Sequence, residues 1–270
     1  MEYGLIGAGP VNQYFAGKLP RLHQQLGPVA ATNHRLASRI VNTLRSGIAM
    51  RDLSGLAECH LILICAPGVH IRHVREHLRS IVFDWKHKCI VICESESFSS
   101  EFEFLRSCGA QIASLRSIPG AGGRYLVEGD RVAARFAHDL VAQVKGSAVE
   151  IPSHHVSLYQ AALALSNSLF TPILESCTLA LRATGVTGVA AQVVTESLFS
   201  HTLRLFMYSG RKSWNGPLAR GDFRSIDQHI RALERVSPKA ADVYRSGVEA
   251  AVGLLGGQKK TGAKKVSERS

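Results

Sequence analysis

An α/β fold, in which a parallel sheet carries helices on both faces and a second, all-α domain follows, is predicted by three features of this 270-residue chain. Short, continuously apolar runs recur through the first half, each followed by a helical stretch, as expected of strands buried on both faces. A glycine turn, Gly7-Ala8-Gly9, stands directly after the first run. Beyond Ile151-Pro152-Ser153 no strand–turn–strand pattern remains, and helical periodicity takes over.

In chain order, residues 3–6 read as a strand and about 10–19 as a helix. Residues 28–31 form the second strand, followed by a helix over 36–45. The third strand, 61–65, closes at Ala66-Pro67-Gly68 before a helix over 69–81. The fourth, 89–93, ends in the polar run ESESFSS, and a fifth covers 111–115. Ser153 then caps a helix reaching about residue 182 with a bend at Pro172. Gly185 and Gly188 mark a turn, and a second helix runs over 189–208 to Ser209-Gly210. Asp222 caps a third to about 235, and Ser237-Pro238 opens a fourth that Gly256-Gly257 closes. The domains are therefore 1–151, an α/β sheet domain, and 152–256, a helical domain, with a disordered basic tail expected over 257–270.

Composition narrows the class. With 46% hydrophobic and 20% charged residues, the chain can bury a large core and is too apolar for disorder. Its longest apolar stretch, LILICAPGV from Leu61, is about half of the roughly 18 residues a membrane span needs. The start, MEYGLIGAG, has an acidic second residue and no apolar core of a signal peptide, so a cytoplasmic protein is expected. The six cysteines include no C-x-x-C pair and read as buried thiols of a reducing compartment. Of the formal charge of +11, the tail 257–270 supplies +4 through five cations and one acid. The remainder is mostly arginine spread along helices, which suits nucleotide phosphates; no nucleic-acid-binding motif is present.

The sharpest motif is Gly7-Ala8-Gly9-Pro10-Val11-Asn12, the first two glycines of G-x-G-x-x-G with Asn12 in place of the third. At a strand-to-helix junction, Gly7 allows the tight turn and Gly9 lets backbone N–H groups approach a pyrophosphate. The second strand ends in Ala31-Thr32-Asn33-His34-Arg35, without the acid that accepts a ribose 2′-hydroxyl. Arg35, with Thr32 or Asn33, is placed to neutralise a 2′-phosphate, so NADP is the expected cofactor; simple solvation of Arg35 is the alternative. Ala66 and Pro67 should line the cofactor's far side, and Glu94 or Glu96 either serves as an acid or base or belongs to a solvated loop.

On the helix from Ser153, His155, Tyr159 and Ser166 share one face, and Gln160, Asn167 and Thr171 a second. Polar groups on so apolar a helix need partners, either a substrate carbonyl and the nicotinamide amide or the backbone of a neighbouring helix. Arg220, in the loop before the Asp222 helix, can fork onto a carboxylate. His70, His73 and His77 follow i, i+3, i+7 spacing, but the arginines among them repel a metal, and they read as an exposed basic face.

Together G-A-G-P-V, C-A-P, L-Y-Q-A-A-x-x-x-S-N and G-P-L-A-R-G-D followed by I-D-Q-H-I-R-A-L resemble a family of bacterial Rossmann-like proteins. Those proteins carry a C-terminal helical domain of unknown function and are related to deazaflavin-dependent NADP oxidoreductases and pyrroline-5-carboxylate reductases. The resemblance spans about residues 3–255 and implies a helical domain that dimerises and a nicotinamide cofactor held in a cleft. Carried over by motif, Gly7, Gly9 and Val11 would cradle the pyrophosphate, Asn33 to Arg35 the 2′-phosphate, and Ser166, Asn167 and Arg220 would face the cleft. The chain departs from that pattern where Gln160 replaces a histidine, where C-E-S-E-S replaces an H-x-S-G-like strand end, and at Arg116-Ser117. The expectation is an NADP-dependent oxidoreductase acting on a small carbonyl or imine, with His155 or Tyr159 as proton donor. Asn167 and Ser166 would orient the substrate, and Arg220 would hold an acidic substituent. The alternative is a sensor or scaffold that binds NADP(H) without turnover.

Overall fold

The computed structural model describes residues 3–9, 15–20, 22–66, 68, 70–93 and 97–256. Pro10, Val11, Asn12, Pro67, Glu94, Ser95, Glu96 and the tail 257–270 lie outside the described residues. The chain divides into two compact units, Met1–Tyr159 and Gln160–Ser270.

The first unit is an eight-stranded sheet. Its strands are β1 (Tyr3–Gly7), β2 (Leu26–Ala30), β3 (Ile48–Ala49), β4 (Leu61–Cys65), β5 (Cys89–Cys93), β6 (Gln111–Ser117), β7 (Arg124–Gly129) and β8 (Ser147–Glu150). They lie in the order β3-β2-β1-β4-β5-β6-β7-β8. β1 to β6 run parallel, β7 runs antiparallel to β6, and β8 is parallel to β7. This is the Rossmann-like sheet the sequence predicts.

The runs LILIC and CIVIC are apolar throughout because both faces are covered. Leu61, Leu63 and Cys65 point into one core with Cys89, Val91 and Cys93. The helices α3 (His34–Leu44) and α6 (Arg131–Gln143) add Ala37, Ile40, Ala137 and Leu140 to it. Ile62, Ile64, Ile90 and Ile92 point the other way, against Ile71, Val74 and Leu78 of α4 (His70–Ser80) and Leu105 of α5 (Glu103–Ser107). The short helices α1 (Phe15–Lys18) and α2 (Leu22–Gln25) connect β1 to β2.

Two expectations need correction. Between 116 and 150 the sequence reading assigns nothing, yet the chain there forms β7, α6 and β8. The hairpin turn is closed by the Ile118 N–H donating to the Arg124 carbonyl at 2.9 Å. Gly129 ends β7 with φ 137°, and a Cβ there would stand 2.2 Å from the Ile112 carbonyl oxygen, so only glycine fits. The long helix from Ser153 is two helices, α7 (Val156–Ser166) and α8 (Thr171–Ala183). Pro172 lacks an N–H and opens α8 in its first turn, where that donor is not needed; it does not bend a continuous helix.

The second unit takes up the last part of α7, then α8, α9 (Gly188–Ser209), α10 (Gly216–Arg220), α11 (Phe223–Val236) and α12 (Pro238–Gly256). Thr178 and Thr195 hydroxyls meet at 3.1 Å between α8 and α9, where Phe170 also packs edge-on against Phe199. No described helix is long and apolar enough to cross a membrane.

Replacing Gly129 by alanine should lower stability by about 2 kcal/mol or more, because it combines a backbone clash with a left-handed φ. Gly122, with open space around it, should tolerate alanine. Urea midpoints of the two variants check this, and equal midpoints would refute it.

Candidate functional site

Strand order reverses between β1 and β4, so the loops leaving those two strands part and open a crevice at the carboxyl edge of the sheet. The glycine turn sits there. The Ala8 N–H donates to the Cys65 carbonyl at 3.1 Å, tying the turn to β4. Gly9 has φ 72°, and a Cβ on it would meet the imidazole of His70 at 2.9 Å. Ala66 is fully buried just beyond β4, and Gly68 faces open space.

At the end of β2, Thr32, Asn33 and Arg35 are all exposed. Asn33 caps α3, its Oδ1 accepting from the Leu36 N–H at 2.9 Å, so its remaining hydrogen-bonding group is the amide NH₂, a donor. Arg35 lines a groove of about 750 Å³ with Asn33, Ser38, Arg39, Asn42 and Thr43. Arg39, one helical turn after Arg35, is a second cation that the motif search passed over although the i, i+4 spacing shows it. This corner offers donors and positive charge, and 31–35 contain no carboxylate.

Beyond β5 the chain re-enters the described structure at Ser97, and a cluster forms that sequence reasoning missed. Phe98 lies between two side chains. The Arg116 guanidinium sits 3.6 Å from its ring centroid, and Tyr159 meets it edge-on at 6.4 Å. Arg116 Nη2 also donates to the Ser97 carbonyl at 2.8 Å. The Tyr159 hydroxyl oxygen is buried, and no described group hydrogen-bonds to it. His155, the other predicted proton donor, is exposed and packs against His154 with centroids 4.1 Å apart.

The next residue anchors this loop. Glu128 of β7 is fully buried and accepts from the Ser99 N–H at 3.1 Å, the Ser99 hydroxyl at 2.6 Å and the Ser114 hydroxyl at 3.0 Å. Arg106 Nε donates to Asp130 at 3.0 Å, and the same carboxylate oxygen takes the Ile112 N–H at 2.8 Å. Burial opposes the charge on Arg106, but its hydrogen bond to Asp130 and the charges of Asp130 and Glu103 raise its pKa overall.

In the helical unit, Ser166 donates to the Leu163 carbonyl at 3.0 Å. The Asn167 carbonyl takes the Thr171 N–H and hydroxyl, both at 3.0 Å. Both residues are exposed, as is Arg220, the last residue of α10. Asp222 caps α11, accepting from the Ser225 N–H at 3.1 Å and its hydroxyl at 2.6 Å. The hydroxyl bond, then the backbone bond, hold the Asp222 carboxyl below the usual carboxylate range. An apolar trough of about 780 Å³ opens among α8, α11 and α12. His229 and Tyr244, which hydrogen-bond at 2.9 Å, and Cys177 lie along it; burial pushes both the Tyr244 hydroxyl and the Cys177 thiol up. Among the described residues, no three histidine, cysteine or acidic side chains converge as a metal site.

Comparison with known proteins agrees with this architecture. The family described as a domain of unknown function, DUF2520, matches residues 124–250. No curated protein matches the chain in sequence. Among solved structures, protein TM1727 from Thermotoga maritima is similar at 14% identity and TM-score 0.66, over 95% of this chain and 99% of that one. A reductive aminase from Aspergillus terreus in complex with NADPH and ethyl levulinate shares 16% identity at TM-score 0.64, over 94% of each chain. The imine reductase BcSIRED from Bacillus cereus shares 16% at TM-score 0.59, over 96% of this chain and 94% of that one. At these identities the likeness is one of fold.

The Asp222 cap carries a pH signature. A carboxyl whose folded pKa is depressed stabilises fully above its unfolded value, and that contribution is lost as pH falls through the folded value. The gap in urea midpoint between wild type and Asp222→Ala should be constant at neutral pH and begin to close below about pH 4. A gap that does not change with pH would show that the hydroxyl and backbone bonds do not depend on ionised Asp222.

Proposed function

We propose that this protein is an oxidoreductase that uses NADP(H) for hydride transfer with a small carbonyl or imine compound. The observation that carries the reading is the pairing of the Gly7-Ala8-Gly9 turn at the β1–β4 crevice with a β2 terminus that bears Arg35 and no acid. Gly9 holds the positive φ of a tight turn at that junction, and the Asn33 amide with Arg35 and Thr32 suits a 2′-phosphate better than a bare ribose. In this reading Gly7, Gly9, Pro10, Val11 and Asn12 hold the diphosphate and Pro67 flanks it, while Ala66, expected there from the sequence, is packed in the core. The NADPH bound to the similar reductive aminase supports the choice of cofactor. When bound, the nicotinamide supplies the redox chemistry; the chain supplies orientation, exclusion of water and a proton.

Tyr159 is the proton donor in this reading, supported by its hydroxyl, which is buried beside Phe98 and has no partner among the described residues; His155 lies exposed. Ser166 and Asn167 orient the substrate, and Arg220 holds an acidic substituent. The second reading, a sensor or scaffold that binds NADP(H) without turnover, draws on Ser166, whose hydroxyl is engaged by its own helix at Leu163, and on Gln160 in place of a histidine.

Calorimetric titration separates these readings. NADPH should bind at least about tenfold more tightly than NADH, and Arg35→Ala should remove most of that difference. Turnover of NADPH with a panel of ketones, aldehydes and cyclic imines should fall about a hundredfold in Tyr159→Phe at unchanged NADPH affinity. Tight binding without any turnover favours the sensor; no binding of either dinucleotide rejects both.

The same reading makes the protein a cytoplasmic homodimer through its helical unit. Six cysteines without a C-x-x-C pair are in keeping with a reducing compartment. In α8 no residue is fully buried, and in α9 only Ala191 and Thr195 are, while Leu203, Phe206 and Met207 stand 61%, 52% and 76% exposed. A helix this apolar on all sides calls for a partner. Light scattering should give twice the 29.3 kDa chain mass, with Leu203→Glu shifting it toward monomer. A wild-type monomer at micromolar concentration would exclude the dimer.

A further inference from the structure

We infer that His70 is a further binding residue of the glycine turn, its imidazole contacting the diphosphate of the dinucleotide. The inference rests on the NADP(H) reading above. It starts from Gly9. The three heavy atoms nearest to where a Gly9 Cβ would stand all belong to His70: Cδ2 at 2.9 Å, Nε2 at 3.3 Å and Cγ at 3.7 Å. The close approach that glycine permits at this point is thus made by an imidazole edge carrying a ring nitrogen.

The position of His70 in the fold gives that edge its meaning. His70 is the first residue of α4, an 11-residue helix that leaves the carboxyl end of β4, the strand paired with β1 across the crevice. A diphosphate lying on the Gly7–Gly9 backbone would therefore be met by β1's turn from one side and by His70 from the other. The side chain is exposed, and α4 buries Ile71, Val74 and Leu78, so His70 is not one of its core contacts. No acid stands in the first turn of α4 to compete for the ring or repel a phosphate. A ring N–H donated to a phosphate oxygen makes a charge-assisted hydrogen bond, and the first turn of the helix adds its own positive end.

His70 would act on the diphosphate, which NADPH and NADH share, whereas Arg35 would act on the 2′-phosphate, which only NADPH carries. The two roles separate in a cross of two variants and two ligands. His70→Leu keeps a side chain over Gly9 but removes the donor, and should weaken NADPH and NADH alike by about five- to tenfold. His70→Gln keeps an N–H of similar reach and should retain most of the affinity for both. Arg35→Ala should weaken NADPH and spare NADH. Dissociation constants by calorimetry, with thermal melts confirming that each variant folds, provide the readout.

Unchanged affinities in His70→Leu would overturn the inference while leaving the NADP(H) reading intact. Equal losses in His70→Leu and His70→Gln would also overturn it, because packing against Gly9 would then account for the effect. Loss of NADPH affinity alone in His70→Leu would place the ring at the 2′-phosphate and overturn it too. Failure of the wild type to bind either dinucleotide would remove the NADP(H) reading and the His70 contact with it.

Discussion

The pairing of β1 with β2 on one side and β4 on the other is the constraint from which the rest of the first unit follows. A strand hydrogen-bonded along both edges has to send its chain out at the end of the sheet, and its two neighbours send theirs to opposite sides. The crevice this opens is a product of topology, independent of which side chains surround it. Side chains then give it chemistry. The last rung, from the Ala8 N–H to the Cys65 carbonyl, fixes the turn against β4, and His70 lies against Gly9 at that turn.

Strands buried on both faces were the most legible part of the chain. LILIC and CIVIC were read with their observed bounds, because nothing other than a two-sided core calls for five apolar residues in a row. β2 was read as 28–31 and begins two residues earlier, at Leu26, with Gly27 and Pro28 inside the strand. The stretch from β7 to β8 escaped because Glu128 interrupts its apolar run. Its burial depends on Ser99 and Ser114, which come from distant parts of the sequence. Phe98 and Arg116 escaped for the same reason: they are 18 residues apart and meet only when β6 lies beside β5. Local spacing carried the Asp222 cap, which needed no tertiary partner, whereas the cap at Asn33 was not read from the sequence.

The two units rest on different physics. The sheet satisfies its backbone within itself and hides its apolar residues on both faces, so its core is closed. The helices α8 and α9 satisfy their backbones equally well but leave large apolar side chains in water. The trough among α8, α11 and α12 is lined in part by Ala180, Ala183, Ala232 and Ala240. Small side chains there leave space between the helices.

The segment that sequence reasoning left blank turns out to hold the candidate site in place. Burying a carboxylate such as Glu128 is costly unless its lone pairs are taken up, and here three donors take them. Two of the three come from Ser99, so the favourable burial of Glu128 depends on the loop after β5 holding one position. That loop carries Phe98, which Arg116 clamps from β6 and which in turn abuts Tyr159. β6 and β7 can bring Arg116 and Glu128 to the same loop because Gly129 lets β7 close tightly over Ile112. A change at Gly129 would therefore reach Tyr159 through Glu128, Ser99 and Phe98, although none of the residues between them touches the glycine turn. The match to the family of unknown function begins at Arg124, at the start of the strand that carries this anchor.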